Sequence, residues 1–389
     1  MLIKNKKILI ITGSFGNGHL SVTNSIVNQF NQMNLTNLTL IQHDLFLEAH
    51  PLLTSALKKW YINSYKYFRS MYKTFYYSNP DEIDKCFYKY YGLNRLVNIL
   101  HNEKPDLILL TFPTPVVSLL TQQLQLKIPI ATVMTDYNMH KNWITPGSQR
   151  YYVAADHTKQ QLTEIGIRTE DIQVTGIPVH PKFEVRRDRT AWLEQNGLDP
   201  SKRTLLMVAG AFGVVEGFSD MLADMNRRAD IQFVVVCGSS RKLLKELSIF
   251  SDHENIRIIG YTHDMDEWMN ACDLMLTKPG GITISESLSQ AIPLVFFNPA
   301  PGQEGENALY FSRMGYARIT HTIDETLHTL ITLLTDDGEL AQMKAYMEQD
   351  YRARSAEVIC QDLVAILNTS LITQQLSSKA SLYARIFAR

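Results

Sequence analysis

The sequence predicts an α/β protein built from two Rossmann-like domains that face each other across a cleft. Short apolar runs of strand length recur in both halves of the chain, for example at 7–12 and 204–209, and amphipathic helical stretches separate them. A glycine-rich turn follows the first strand of each half and precedes a helix. This alternation of strands and helices is typical of parallel sheets covered by helices. The 389 residues suffice for two domains of ordinary size.

Composition narrows the class of protein. A hydrophobic fraction of 45% supports sizeable cores, and a net charge of −1 gives no general attraction to nucleic acid. No run approaches the roughly 18 apolar residues of a membrane span, and the run at 8–11 is too short for a signal-peptide core. The four cysteines have no CxxC spacing, which predicts buried thiols in a reducing cytosol rather than disulfides or metal ligands. They are Cys86, Cys237, Cys272 and Cys360.

The sequence predicts a first domain at 1–180, a solvated linker at 181–200, a second domain at 201–365 and a C-terminal segment at 366–389. Apolar runs predict the strands of both domains, and a helical pattern runs from 324 to near the C-terminus. The strands are expected at 7–12, 38–41, 106–112, 129–135, 151–154 and 173–175, then at 204–209, 232–237, 256–259, 274–277 and 293–297.

The stretch at 274–307 carries the clearest chemical signal. A strand ends in the turn Lys278-Pro279-Gly280-Gly281 and a helix follows it. Loops at the carboxyl ends of parallel strands are where open α/β sheets bind ligands. Glycines have no Cβ, so backbone N–H groups can approach a phosphate closely, and the helix N-terminus adds about half a positive charge.

The polar residues that follow are suited to a nucleotide sugar. Thr283 lies near the helix start, and the Glu286 carboxylate, about one turn further, is placed to accept the ribose hydroxyls. Gln303, Glu304 and Asn307, in a second loop at 299–306 and just after it, offer donors and acceptors for a hexose. The alternative is a plain strand–turn–helix in which Pro-Gly-Gly only ends the strand and forms the turn.

The first strand is followed by a loop that ends in Gly16-Asn17-Gly18-His19. Its spacing is GxxGxGH rather than GxGxxG, so it is a weak match to a dinucleotide fingerprint. The positive end of the following helix should keep His19 neutral near pH 7, and a neutral imidazole can take a proton from an attacking alcohol. The alternative is a histidine that merely caps the helix.

Asp136 follows the predicted strand at 129–135 and is therefore expected at the same sheet edge as His19. It either orients or polarises His19 or acts as the base itself. The alternative is an Asx-turn residue that closes the strand.

A segment from 58 to 91 interleaves aromatic and basic residues, and no acidic residue occurs between Pro51 and Pro80. Tyr and Trp suit the boundary of a membrane, and each cation near an anionic leaflet contributes about 1 kcal/mol. One alternative is that this segment binds single-stranded nucleic acid. The other is that it forms an aromatic helical core with a solvated basic face. The C-terminal tail, with Lys379, Arg385 and Arg389, is either a second membrane contact or a frayed terminus. The predicted membrane contacts are Lys58, Lys59, Trp60, Lys66, Arg69 and Lys73.

The stretch at 274–307 resembles the donor-binding motif of GT-B glycosyltransferases. The resemblance lies in the spacing of PGG, Thr283, Glu286 and PGQExEN. That group includes the peptidoglycan N-acetylglucosaminyltransferase and the monogalactosyldiacylglycerol synthases. Within it, the whole chain is most similar to the bacterial processive diacylglycerol β-glucosyltransferases, and Gly16, Gly18 and His19 match their acceptor-side loop.

The resemblance implies an inverting transfer of glucose from UDP-glucose to 1,2-diacylglycerol. The products are β-monoglucosyl- and then diglucosyl-diacylglycerol, for glycolipid and lipoteichoic acid anchor synthesis at the cytoplasmic face of the cell membrane. It also implies that the domain at 1–180 binds the acceptor and the membrane, and that the domain at 201–365 binds the UDP-sugar. In the second domain, Gly210, Phe212 and Gly213 are expected to contact the diphosphate, and Tyr261 and Met265 to flank the uracil. The last helix is expected to return over the first domain. No DxD stands where a metal-bound diphosphate needs it, so no metal or other cofactor is expected.

Two other functions stay open, the first of them on the same fold. One is a UDP-sugar epimerase, which needs no acceptor and no aromatic–basic segment. The other is a non-catalytic UDP-sugar sensor at the membrane, which needs no base at position 19.

Overall fold

The structure is a computed structural model that describes residues 5–56, 90–124, 128–209 and 218–369. The described residues form two compact units. The first contains the chain up to His180 together with the residues from Arg354 onward, and the second is Pro181–Ala353.

The first unit is built on a six-stranded parallel sheet with the order β2-β1-β3-β4-β5-β6. The chain runs from β1 outward to β2 and then returns to β3 on the other side of β1, so the strand order reverses between β1 and β3. In such sheets the reversal opens a crevice at the carboxyl ends of the strands. The strands are β1 (Lys6–Thr12), β2 (Leu38–Asp44), β3 (Leu107–Leu110), β4 (Ile130–Val133), β5 (Arg150–Val153) and β6 (Ile172–Val174).

Local sequence explains these elements. Ile8, Leu9, Ile10 and Ile11 of β1 are completely buried, as expected for a central parallel strand covered on both faces. The first helix buries residues at helical spacing, including Ile26 and Phe30. The helices are α1 (Asn17–Gln32), α2 (Leu45–Ala49), α3 (Leu93–Glu103), α4 (Pro115–Leu124) and α5 (Asp156–Glu164), with residues 51–56 also helical.

The second unit repeats this architecture with the strand order β12-β11-β10-β7-β8-β9, also parallel throughout. Here the order reverses between β7 and β10. The strands are β7 (Arg203–Val208), β8 (Ile231–Val236), β9 (Ile256–Ile259), β10 (Leu274–Thr277), β11 (Leu294–Phe297) and β12 (Ala317–Thr320). The helices are α6 (Arg189–Gln195), α7 (Phe218–Met225), α8 (Arg241–Leu247), α9 (Met265–Ala271), α10 (Gly281–Gln290), α11 (Gln303–Arg313), α12 (Ile323–Thr335) and α13 (Asp337–Asp350), and α14 (Ser355–Thr369) belongs to the first unit.

The predicted strands are all present, but β12 is an additional strand that the sequence analysis did not identify. It is only four residues long, and two of them, Arg318 and Thr320, are polar, so its apolar signal is weak. It pairs with β11 at the edge of the sheet.

The linker predicted at 181–200 is instead part of the second unit. It contains a 3₁₀ turn, Pro181–Glu184, and α6, whose Trp192 ring lies 5.3 Å from the ring of Trp268. Its charges are paired rather than solvated: Arg189 Nη2 lies 3.0 Å from Asp273 Oδ2. The segment is ordered because it packs on α9.

The second unit ends at Ala353 rather than at the predicted residue 365. The last described helix, α14, packs on α1 of the first unit, where Cys360 Sγ donates to the Ile26 carbonyl oxygen at 3.6 Å. The Tyr152 hydroxyl donates to Asp362 at 2.7 Å. These contacts attach the chain to the first unit before residue 365, and 370–389 lie outside the described residues.

Two further sequence predictions concern thiols and membrane spans. Cys237, Cys272 and Cys360 are buried free thiols, as predicted, and Cys86 lies outside the described residues. Across the described part of the chain, none of the helices is both long and apolar enough to cross a bilayer.

Candidate functional site

His19 lies in the first turn of α1, beside the point where the first sheet reverses its strand order. Its Nδ1 atom is 3.0 Å from the Thr111 carbonyl oxygen and 3.1 Å from the Thr135 hydroxyl. A carbonyl oxygen can only accept, so Nδ1 carries the proton and Nε2 carries the lone pair. Among the described residues, Nε2 has no hydrogen-bond partner.

Burial sets the charge of His19. Desolvation lowers the pKa of the imidazole from 6.5 to about 4, while the hydrogen bond to Thr111 opposes that shift. The ring is therefore neutral at physiological pH, as the sequence predicted. The main cause is burial of the ring rather than the dipole of α1.

Aromatic rings surround the imidazole. The Phe112 ring meets it edge-on at 4.8 Å, and the buried Trp143 ring lies 6.0 Å away. The Trp143 indole N–H donates to Asp136 Oδ2 at 3.2 Å. Asp136 is thus buried at the sheet edge where it was expected, and it holds the tryptophan beside His19.

The residues that orient His19 directly, Thr111 and Thr135, were not identified from the sequence. Each follows the end of a strand, β3 or β4, and these strands are neighbours in the sheet. A threonine at a strand end is too common to single out. The only available signal was that both follow apolar runs at the expected ligand edge.

The ring of Phe112 is also part of a row of aromatic residues that leads away from His19. We call Phe15, Phe46, Tyr91 and Phe112 the aromatic row. Phe112 stacks on Phe15 at 5.6 Å and meets Phe46 at 5.3 Å, and Phe46 stacks on Tyr91 at 5.4 Å. All four rings are partly exposed. Exposed apolar residues follow nearby in the chain: Leu47, Leu52, Leu53 and Tyr90.

The acceptor-side loop is tied by a hydrogen bond to the end of β2. The backbone N–H of Ser14 donates to Asp44 Oδ2 at 3.0 Å, and the N-cap of α1, Gly16, contributes no side-chain cap. A Cβ at Gly16 would meet nothing within 4 Å, so this glycine is not required by close packing of the chain itself. Asn17 is exposed and Gly18 is partly exposed. The six predicted membrane contacts between Lys58 and Lys73 lie outside the described residues.

In the second unit, the turn after β10 leads directly into α10. Pro279 is buried, and the Gly280 N–H donates to the Lys278 carbonyl oxygen at 2.9 Å. Gly280 is the N-cap of α10, and no side chain caps the helix. The first N–H groups of a helix lack partners within it, so an uncapped start is an anion-binding feature. A Cβ at Gly280 would also meet open space.

Glu286 lies one turn further along α10 and is half-buried. Its carboxyl group has no hydrogen-bond partner in the part of the chain that the structure describes. Burial raises the pKa of Glu286 to about 8, against the lowering effect of the Lys182 charge and with a smaller raising effect from Asp266. Thr283 lies half-buried in the first turn of the same helix.

The second polar loop is shorter than predicted. The sequence placed a loop at 299–306, whereas α11 begins at Gln303, after Gly302 adopts a left-handed φ of 89°. Gln303 and Glu304 therefore lie in the first turn of a helix, with Glu304 accepting from the Ala300 N–H at 3.3 Å. Asn307 is only 1% exposed, and its amide donates to the Pro279 carbonyl oxygen at 3.2 Å. Asn307 thus joins the start of α11 to the turn after β10.

The residues predicted to flank the uracil follow β9. Tyr261 is 68% exposed with its ring edge-on to His263 at 5.1 Å, and Met265 begins α9. The strands β7 and β10 are neighbours at the strand reversal, whereas β9 is separated from β10 by β7 and β8. Gly210, Phe212 and Gly213 lie outside the described residues.

No group of three or more His, Cys, Asp or Glu side chains within 5–56, 90–124, 128–209 and 218–369 is arranged to hold a metal ion. Residues 210–217 lie outside the described residues, so the expectation of a metal-free site stays a prediction.

Two family models match the chain. Residues 19–179 match the family described as monogalactosyldiacylglycerol (MGDG) synthase, beginning at His19 itself. Residues 209–361 match the glycosyltransferase family 28 C-terminal domain, which includes the turn after β10 and α10.

Full-length relatives carry a more specific name. A "processive diacylglycerol beta-glucosyltransferase" of Staphylococcus saprophyticus is 57% identical over 391 residues, with 100% of both chains covered. A protein of the same name from Staphylococcus aureus strain Newman is 55% identical, also with 100% coverage of both chains.

Solved structures support the fold class. MnaA of S. aureus in complex with UDP has a TM-score of 0.61 at 16% identity, covering 96% of this chain and 99% of that one. A UDP-N-acetylglucosamine 2-epimerase has a TM-score of 0.59 at 15% identity, with 97% and 99% covered. Anabaena HepE in complex with UDP-glucose has a TM-score of 0.54 at 12% identity, with 92% and 99% covered. At these identities the likeness concerns the fold alone, and the predicted GT-B class is confirmed.

Proposed function

The chain belongs to the family of the processive diacylglycerol β-glucosyltransferases, and from that membership we propose that it transfers glucose from UDP-glucose to 1,2-diacylglycerol with inversion at the anomeric carbon. It is a glycosyltransferase. The first product is β-monoglucosyl-diacylglycerol, and a second transfer to that lipid makes the diglucosyl form.

The observation that carries the proposed mechanism is the hydrogen bonding of His19. With Nδ1 donating to Thr111, the lone pair on Nε2 is available to the acceptor hydroxyl. As the hydroxyl oxygen bonds to the anomeric carbon, its proton moves to Nε2 and the bond from that carbon to the UDP oxygen breaks. This single displacement converts an α-linked donor into a β product and needs no nucleophilic carboxylate.

The donor half of the proposal depends on α10. Its uncapped N-terminus and Gly280 suit the diphosphate, and these groups also stabilise the charge that develops on departing UDP. The Glu286 carboxyl, which has no hydrogen-bond partner among the described residues, suits the ribose hydroxyls. Gln303 and Glu304, at the start of α11, are the proposed contacts to the hexose, with Tyr261 and Met265 at the uracil.

The acceptor half of the proposal depends on the first unit. The aromatic row adjoins His19 and suits a lipid acceptor, because partly exposed rings offer apolar area beside the base. We place the enzyme peripherally on the cytoplasmic face of the cell membrane, with the segment from 58 to 91 against anionic lipid. An epimerase shares the fold, but the two full-length relatives are named as transferases.

The test is an assay with radiolabelled UDP-glucose and diacylglycerol vesicles, followed by thin-layer chromatography. We expect a labelled glycolipid of one sugar and then of two, and release of UDP only when the lipid is present. Conversion of UDP-glucose to another UDP-sugar without lipid would instead support the epimerase. Binding of UDP-glucose with no turnover would support the sensor.

A further inference from the structure

A buried cluster of three threonine hydroxyls lies behind His19, and these hydroxyls take no part in the proposed mechanism. Thr12 ends β1, and Thr111 follows β3. Thr23 lies on α1, one turn after His19. All three threonines are fully buried, and Thr23 Oγ1 is 2.7 Å from Thr111 Oγ1 and 3.2 Å from Thr12 Oγ1. The cluster therefore joins the first helix to two neighbouring strands at the point where the sheet reverses its strand order.

The hydroxyl of Thr23 contacts both residues of the hydrogen bond that fixes the tautomer of His19. It donates its one proton to the His19 carbonyl oxygen at 2.9 Å, since a carbonyl oxygen can only accept. Thr23 Oγ1 then accepts the proton of the Thr111 hydroxyl at 2.7 Å. The Ile11 carbonyl oxygen, another acceptor near that hydroxyl, is farther away at 3.5 Å. One side chain thus holds the backbone of the donor residue and the side chain of the acceptor residue.

A threonine that donates to the carbonyl oxygen four residues earlier is common in helices and by itself implies no function. Thr23 differs because its second bond reaches Thr111, 88 positions further along the chain. Thr111 is also the residue whose carbonyl oxygen lies 3.0 Å from His19 Nδ1. Without the Thr23 hydroxyl, a buried donor at Thr111 loses its acceptor, which is a costly state. We expect Thr111 to shift towards the Ile11 carbonyl oxygen and its own bond to Nδ1 to weaken.

The bond to Thr111 is the one that selects the tautomer. A carbonyl oxygen accepts only from a protonated Nδ1, whereas the Thr135 hydroxyl can donate or accept and therefore suits either tautomer. The neutral ring carries no charge in either form, so local hydrogen bonds decide between the two. In the other tautomer, Nε2 carries the proton and cannot take one from the acceptor hydroxyl.

We propose that Thr23 is a positioning residue for His19, whose hydroxyl keeps the imidazole in the tautomer with the proton on Nδ1 and the lone pair on Nε2. It does so by holding both residues of the bond between Nδ1 and the Thr111 carbonyl oxygen. The inference rests on the proposed function, because it concerns the orientation of the proposed base.

The test is NMR of the full-length protein with ¹⁵N-labelled histidine near neutral pH, because the chemical shifts of the two ring nitrogens identify the tautomer. The His19 signals are those that disappear in His19→Gln. The wild type should show the tautomer with the proton on Nδ1. Thr23→Val keeps the shape and removes the hydroxyl, so the ratio of the other tautomer to this one should rise about 2- to 10-fold, as expected for the loss of one net hydrogen bond. Thr23→Ser keeps the hydroxyl and should match the wild type.

Kinetics of glucosyl transfer provide the second measurement. Thr23→Val should lower kcat about 2- to 10-fold, in step with the change of tautomer. KM for UDP-glucose and for diacylglycerol should stay within about twofold, because Thr23 is fully buried and acts only through His19.

Thr326 on α12 offers a matched control in the second unit. It is also fully buried, and its Oγ1 donates to the Thr322 carbonyl oxygen, four residues earlier, at 2.7 Å. The same Oγ1 lies 2.7 Å from the hydroxyl of Thr320, the last residue of β12. Thr326→Val therefore removes the same kinds of hydrogen bond as Thr23→Val and should lower the thermal midpoint by a similar amount. It should leave kcat and the tautomer of His19 at their wild-type values.

An unchanged tautomer ratio in folded Thr23→Val, with kcat reduced no more than in Thr326→Val, would overturn the inference and leave the proposed function intact. Absence of glucosyl transfer by the wild type would overturn the proposed function, whereas the NMR measurement would still decide whether Thr23 sets the tautomer. If Thr23→Val does not fold, Thr111→Val takes its place, because it removes the hydroxyl at the other end of the same bond and keeps the carbonyl oxygen. It should shift the tautomer in the same direction, and an unchanged ratio there would also overturn the inference.

Discussion

The Nδ1 atom of His19 lies 3.0 Å from the carbonyl oxygen of Thr111, a residue 92 positions further along the chain. This hydrogen bond decides which ring nitrogen carries the proton. It leaves Nε2 as the basic atom, in a ring whose pKa is lowered to about 4 by burial. A base of this kind is neutral over the whole physiological range.

The first prediction concerns His19 itself. His19→Ala should lower turnover by about 10²–10⁴-fold, the usual range for loss of a general base. UDP affinity, measured by calorimetry, should stay within about twofold, because the proposed donor residues belong to the other unit. The wild-type acid limb of kcat/KM for the lipid should fall near pH 4, where His19 becomes protonated. Near-normal turnover of the variant would show that His19 is not the base and would assign that role to Asp136.

The second prediction concerns Thr135, which contacts the same nitrogen through its hydroxyl. Thr135→Val keeps the shape and removes the hydrogen bond, so turnover should fall roughly 2- to 10-fold, as expected for a bond contributing about 0.5–1.5 kcal/mol. Thr135→Ser should restore most of the rate. If Val and Ser variants were equally active, Thr111 alone would orient the ring.

The third prediction is a pH dependence. Burial raises the pKa of Glu286 to about 8, so in the unliganded protein the carboxyl is mostly protonated at neutral pH. If ribose needs the carboxylate, UDP affinity should rise with pH up to about 8 and then level off. Glu286→Gln should remove this rise, and Glu286→Ala should weaken UDP binding by about 1–3 kcal/mol. A pH-independent wild-type affinity would show that ribose does not require the ionised group.

The fourth prediction concerns the aromatic row. Phe15 contacts both Phe112 and Phe46, at ring distances of 5.6 and 5.8 Å. Phe15→Ala should raise KM for diacylglycerol several-fold, since an aromatic pair contributes about 0.5–1.5 kcal/mol beyond its buried area. KM for UDP-glucose should stay constant in the same assay. If only KM for UDP-glucose changed, the aromatic row would not be part of the acceptor site.

The fifth prediction concerns five basic residues in the first half of the segment from 58 to 91, at positions outside the described residues. Replacing them by Ser or Gln should sharply reduce binding to anionic vesicles, because about 1 kcal/mol per charge compounds over several residues. Wild-type binding should weaken as salt rises. Activity on detergent-dispersed diacylglycerol and the thermal midpoint should change little. If a folded variant bound vesicles normally, the membrane contact would instead be assigned to the C-terminal tail. The five positions are Lys58, Lys59, Lys66, Arg69 and Lys73.

The sequence by itself determined the features whose cause is local. Apolar runs bounded by turn residues located the strands of both sheets. The Pro-Gly-Gly turn followed by Glu286 predicted the start of α10, because glycine freedom and helix periodicity act over a few residues. The same motifs were sufficient to predict the family. The short, half-polar β12 was missed for the same reason, since its position depends on pairing with β11 rather than on its own composition.

Only the tertiary structure decided what surrounds each functional side chain. Thr111 and Thr135 reach His19 from positions 92 and 116 residues away. The pKa of His19 is governed by desolvation, which depends on Phe112, Trp143 and the rest of the fold around the ring. Burial and through-space charge are properties of the packed chain, so no spacing rule contains them.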